Sequence, residues 1–142
     1  MPAFVTAINC IDGRVQSPVR KFLKTRFRAD YVDMITCPGP VGVLSKNGFN
    51  AQVQYLYDSV MISVSMHGSE FVAVVAHHDC AANNLTEAKQ RAQIEISIQR
   101  IRQWKIPALV AGLWVNANWT VEEVFFDITE NKECEHEMFY ND

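Results

Sequence analysis

The sequence predicts an α/β fold: a mostly parallel central sheet of about five strands with helices on its faces. Three observations predict it. Short apolar runs alternate with longer stretches at helical period, in the order strand, helix, strand, loop, helix, strand, helix, strand, strand, and such alternation builds a parallel sheet covered by helices. The run Val72-Ala73-Val74-Val75-Ala76 is apolar throughout, as a central strand buried on both faces requires. The 142 residues, 49% apolar and 20% charged, suit one globular domain with a real core.

Residues 3–9 form the first strand, and Cys10, Asp12 and Arg14 follow it. Ser17-Pro18 reads as a helix start, with Ser as N-cap and Pro at the first helical position. Val19, Phe22, Leu23 and Phe27 then share a face, and the helix ends near residues 28–30. Tyr31 to Thr36 is the second strand. The segment Cys37-Pro38-Gly39-Pro40-Val41-Gly42 carries two prolines and two glycines, which predicts a shaped loop without regular structure. That loop is either a wall of a site or a rigid connector.

Asn50 to about Met66 reads as a helix with Val53, Leu56, Tyr57, Val60 and Val64 on one face and Gly68 as its stop. His67 stands beside that stop, where a cation favours the helix dipole. Residues 70–76 are the third strand. Asn84 and Glu87 have the spacing of a capping box, opening a helix to about Trp104 with Ile94, Ile98 and Ile101 inside. Ile106-Pro107 ends it. Residues 108–115 form the fourth strand, Asn116-Ala117-Asn118 a turn, and residues 121–128 a fifth strand at the edge. Residues 129–142 read as a loose acidic tail, and with no repeat or linker the whole of 1–142 is expected to be a single domain.

The formal charge of −3 gives no reason to expect nucleic acid or an anionic membrane as partner. The one basic cluster, Arg20, Lys21, Lys24, Arg26 and Arg28, reads as the solvated face of the first helix. No apolar stretch reaches the ~18 residues of a membrane span. The first residues lack signal-peptide architecture, so a cytoplasmic location is expected. Cysteines at 10, 37, 80 and 134 are too few and too scattered for a secreted disulfide framework.

The chemistry gathers at strand ends. His77 ends the third strand, Cys80 follows it, and Cys10 ends the first strand. If those strands are parallel neighbours, Cys10, His77 and Cys80 meet at one rim as three zinc ligands with a fourth position open. Asp12 lies within reach of that position and either accepts a hydrogen bond from zinc-bound hydroxide or ligates the zinc itself. Arg14 decides between these by gripping the carboxylate with two donors; the plainer reading is a salt bridge that ties the loop down. His78 is a proton shuttle or a solvent-facing side chain. Cys37 is an extra thiol at the rim or a buried, inert one. Cys134 and His136 read as a coincidence of the tail.

Cys10-x-Asp12-x-Arg14 after the first strand, a Pro/Gly loop, and then His77-x-x-Cys80 together resemble the β-class carbonic anhydrases over residues 3–128. The resemblance implies a β-carbonic-anhydrase-like fold, Zn2+ on Cys10, His77 and Cys80, Asp12 and Arg14 as catalytic residues, carbon dioxide and bicarbonate as substrates, and a homodimer or higher homo-oligomer. The sequence also departs from that family. Helices usually precede the first strand, and they and nearby residues supply part of the pocket. Gly13 stands for a Ser, Thr36-Cys37-Pro38-Gly39 for Arg-Asn-Ala-Gly, His78 for a small hydroxyl residue, and Ala81-Ala82 for glycines. These changes leave three alternatives to hydration: zinc binding without turnover, hydrolysis of carbonyl sulfide or carbon disulfide, and thiol redox chemistry. Without the usual arm, a dimer would use the sheet edge or exposed Trp114 and Trp119 side chains.

Overall fold

The computed structural model describes residues 2–126. Strand β1 (Phe4–Cys10) leads through a short helical turn (Gly13–Val15) into α1 (Gln16–Arg26) and β2 (Tyr31–Cys37). Helices α2 (Pro40–Leu44) and α3 (Ala51–His67) precede β3 (Phe71–His77); α4 (Glu87–Gln103), β4 (Leu109–Val115) and β5 (Val121–Phe126) complete the chain described. The five strands lie in the order β2-β1-β3-β4-β5. All neighbours are parallel except β4 and β5. The expected α/β class and mostly parallel sheet are therefore what the molecule has.

The sheet separates two cores. On one face Ile8, Val72 and Val74 pack with Leu56 and Val60 of α3 and Ile94 and Ile98 of α4. On the other, Val5, Ala7, Ala73 and Val75 pack with Val19 and Leu23 of α1. Successive side chains of β1 and β3 thus alternate between two apolar layers, which is why these strands are apolar at nearly every position. The basic residues of α1 are all exposed, as its polar face requires.

The connections place the site. From β1 the chain crosses to β2 on one side, then returns past β1 to β3 on the other. Such a reversal opens a crevice at the carboxyl ends of the two strands, where ligands bind in open α/β sheets. The β1–β3 ladder runs over Thr6–Ile8 and Val72–Val74, so Cys10 and His77 lie beyond it, at the mouth of that crevice.

Four expectations are corrected. Helix α1 begins at Gln16, without a side-chain cap; the capped turn just before it, held by Asp12, already starts the helical path. Segment 37–42 is not wholly irregular: Gly39, at φ +55°, turns the chain, and Pro40 then opens α2, since a first-turn residue needs no N–H partner. The N-cap of α4 is Thr86, whose hydroxyl accepts from Lys89 N at 3.2 Å, in place of Asn84. Trp114 is 2% exposed, because its strand is covered on both faces, so it offers no docking surface. Residues 129–142, with Cys134 and His136, lie outside the described residues. Among the described residues no helix is long and apolar enough to cross a membrane.

Candidate metal centre

β1 delivers Cys10, β3 delivers His77, and the turn after β3 brings Cys80 back beside them. All three are buried, and their ligand atoms lie within 4.8 Å of one another. Among the described residues no other His, Cys, Asp or Glu trio converges in this way. The Cys10 and Cys80 sulfurs are 4.0 Å apart. Two sulfurs each ~2.3 Å from one tetrahedral zinc would stand about 3.8 Å apart, so the spacing suits the ion.

The histidine is prepared for the same task. His77 Nδ1 is 2.7 Å from the His78 carbonyl, which can only accept, so Nδ1 carries the proton. Nε2 is the nitrogen left with a lone pair, and it is buried without a hydrogen-bond partner. A buried polar atom without a partner is unfavourable in a native fold and points to a missing ligand.

The cysteines share charge unequally. The hydrogen bond with Cys80 holds the Cys10 thiol well below the usual thiol range, against burial, and His77 and the N–H groups of Gly39 and Asp12 help. Cys80 moves up, because it is the partner of that thiolate and is itself buried. Burial opposes protonation of His77, yet its pKa rises because the Cys10 sulfur and the His78 carbonyl stabilise the imidazolium. Metal binding needs both sulfurs as thiolates and Nε2 without a proton, so a divalent ion would displace whatever protons these atoms carry.

Loops brace these ligands. Gly39 N–H reaches Cys10 Sγ at 3.5 Å. A Cβ on Gly39 would stand 2.9 Å from Asn83 Cβ, and one on Gly42 2.9 Å from Asn83 Oδ1. The two glycines thus let the loop after β2 seat against the loop after Cys80. Gln90 donates to the carbonyls of His77 and Leu85, both at 3.1 Å, tying the ligand strand to α4. Gln16 donates to the carbonyls of Cys10 at 2.6 Å and Asp12 at 2.9 Å. Sequence reasoning missed both glutamines. Gln90 was findable, because it stands four residues before Ile94 on the inner stripe of α4; nothing in the sequence marks Gln16.

Asp12 and Arg14 form a forked pair. Arg14 Nε donates to Asp12 Oδ1 at 3.0 Å and Nη2 to Oδ2 at 2.7 Å. This grip holds the Asp12 carboxyl down at about 2 and raises the pKa of Arg14. Both Asp12 oxygens face Arg14, and Asp12 is outside the Cys10, His77, Cys80 trio. Arg14 also reaches the Asp79 carboxylate at 3.2 Å and its carbonyl at 3.1 Å. His78 is exposed at the same rim. Cys37 is buried among Ile8, Ile35 and Val41, and burial, then the charge of Cys10, pushes its thiol up to about 11.

Comparisons with known proteins agree with this architecture. Residues 1–125 match a family model described as "Putative carbonic anhydrase". No curated protein matches the chain. Among solved structures, the fold is similar to β-carbonic anhydrase isoform I from Trichomonas vaginalis, at 14% identity and a TM-score of 0.57, over 86% of this chain and 82% of that one. A structure from a study of two tetrameric β-carbonic anhydrases of Sordaria macrospora is 10% identical at a TM-score of 0.49, over 87% of this chain and 80% of that one. On the match over residues 1–125, the chain belongs to this carbonic anhydrase family, and its fold is of the β-class.

Proposed function

We propose that this chain is a zinc-dependent lyase that interconverts carbon dioxide and bicarbonate. The observation that carries the reading is the unpartnered, buried Nε2 of His77 beside two cysteine sulfurs 4.0 Å apart. Cys10, His77 and Cys80 would hold the ion, leaving one coordination position for chemistry. When bound, zinc supplies the Lewis acidity that makes a water nucleophilic near neutral pH. Asp12, kept ionised by Arg14, would accept a hydrogen bond from that nucleophile through a lone pair that Arg14 leaves free, and so orient it. The Arg14 guanidinium adds positive charge at the rim where an anionic product would leave. His78 can carry a proton from the rim to solvent.

The test pairs elemental analysis with stopped-flow hydration of carbon dioxide, on protein purified under reducing conditions. About one zinc per chain and a rate above background support the proposal. Stoichiometric zinc without a rate supports binding without turnover, and carbonyl sulfide and carbon disulfide are then assayed on the same sample. Absence of zinc after it is supplied overturns the reading.

We further propose a reducing, cytoplasmic setting and a homodimer or larger assembly. Cys10, Cys37 and Cys80 are free thiols, as metal-binding thiolates must be. The β2 edge of the sheet and the neighbouring face of α3 expose Tyr31, Tyr55, Ile62 and Met66, an apolar surface suited to a second copy. Sedimentation that finds only monomer would refute the assembly.

A further inference from the structure

The hairpin between β4 and β5 has a three-residue loop, Ala117, Asn118 and Trp119. Asn116 N donates to Thr120 O at 3.0 Å, and Trp119 N to Asn116 O at 2.9 Å. Such a loop is a type I turn followed by one residue in the left-handed region, a place suited to Gly. Here the residue is Trp119, at φ +60°. Asn116 Oδ1 accepts from Asn118 N at 2.9 Å and Thr120 N at 3.1 Å, closing the turn around it. A bulky residue at positive φ persists only where its surroundings over-determine it, and such strain clusters at functional sites.

The indole has a specific neighbour. Arg14 Cζ lies 4.4 Å from the Trp119 ring centroid. The guanidinium edges are taken by Asp12 and Asp79, so the contact available to Trp119 is a face. Trp119 also packs against the core layer that contains Cys10 and Cys80.

We infer that Trp119 is a positioning residue: its indole is the platform that fixes the plane of Arg14, which keeps both Asp12 oxygens paired with the guanidinium and so off the metal position beside the Cys10, His77, Cys80 trio. The placement of Arg14 is a property of the protein alone; its consequence for a metal rests on the proposed function. Without the platform, Arg14 loses its fixed plane, and Asp12 can turn to the fourth coordination position and close it.

Two variants test this. Trp119→Gly removes the ring and relieves the left-handed strain, so the loop should still form. Trp119→Phe keeps an aromatic face. In metal-free protein, solvent exchange of the Arg14 Nε–H, followed by 15N NMR, should quicken roughly two- to fivefold in Trp119→Gly, the effect of losing one exposed cation–π contact. It should return towards the wild-type rate in Trp119→Phe. Unchanged exchange in Trp119→Gly overturns the assignment. In cobalt(II)-loaded protein, wild type and Trp119→Phe should change their visible spectrum when thiocyanate is added. Trp119→Gly should bind cobalt stoichiometrically but lose that response; a wild-type response there overturns the gating of Asp12. Should the wild-type chain take up no cobalt, the metal reading fails, while the metal-free exchange still decides the role of Trp119.

Discussion

Two polar clusters, each built around a histidine, sit at opposite ends of the sheet and have solved opposite problems. At the amino end, His67 Nδ1 and Ser63 Oγ both bond Asp33 Oδ2, at 2.6 and 2.7 Å. Ser63 is 2.6 Å from Thr6, Thr6 is 2.7 Å from Ser69, and Ser69 reaches the Phe71 carbonyl at 3.0 Å. Every buried side-chain atom in that chain of contacts has a partner. At the carboxyl end, His77 Nε2 has none, and it is one of three such atoms among the described residues, with Gln90 Oε1 and Trp114 Nε1. The first cluster is satisfied within the protein and fixes structure; the second keeps a lone pair and two sulfurs unspent. The unspent capacity, more than the residue type, marks a site.

The largest expected effect would come from breaking the unspent cluster. Cys80→Ser should weaken zinc binding by more than about 100-fold, since loss of even an outer-shell partner can cost 10–100-fold. Competition with a chromogenic chelator measures it. Retained tight zinc in this variant would erase the distinction between the two ends.

How far the sequence foretold each end follows from its physics. The carboxyl rim was legible because thiolate and imidazole chemistry is local: a His-x-x-Cys after one apolar run and a Cys after another name the ligands once the strands are parallel neighbours. The sheet was legible because β1, β3 and β4 are buried on both faces: β3 and β4 carry long apolar runs, and β1 is apolar apart from Thr6 and Asn9. The amino-end network was not, because Thr6, Ser63 and Ser69 come from three separate elements and none carries a local signal. His67 does stand in the last turn of α3, before Gly68, as expected, but its hydrogen bond to Asp33, on β2, has no local sequence signal. Backbone-level surprises have the same origin. Gly39 and Gly42 are needed because Asn83, some forty residues away, approaches them, and a turn signal cannot show that.

A second prediction tests the satisfied end. Thr6→Val removes the hydroxyl that lies between Ser63 and Ser69, all three buried. Leaving those partners short should destabilise the fold by about 1–3 kcal/mol in urea unfolding. Zinc stoichiometry should not change. A loss of zinc in Thr6→Val would mean the two ends are coupled through β1, and the comparison would need redrawing.

A third, smaller effect belongs to Asp12 and has a defined pH course. Its carboxyl is held at about 2 by Arg14, below the ordinary value of about 3.9 expected in the unfolded chain. The unfolded state therefore takes up a proton first as pH falls. The stabilisation is complete above about pH 4 and disappears as pH falls towards 2. Metal-free Asp12→Asn should have a lower urea midpoint than wild type at pH 7, and the gap should close over that window. A gap that stays constant with pH would mean the Asp12–Arg14 pair contributes nothing through its charge.

The smallest effect is expected at His67, although its 2.6 Å contact with Asp33 is the shorter of that carboxylate's two bonds. The His67 side chain is 43% exposed and that of Asp33 25%, so water can replace either partner. Half-exposed pairs of this kind contribute under about 1 kcal/mol. His67→Ala also loses the stack on Phe4, whose ring lies 4.1 Å away. Ser63 should still hold Asp33, because its hydroxyl approaches the same oxygen from within the core. Urea unfolding should therefore show a loss clearly below that of Thr6→Val, with zinc uptake unchanged. A larger loss than Thr6→Val would place the weight of the amino-end network on its exposed histidine rather than on its buried hydroxyls.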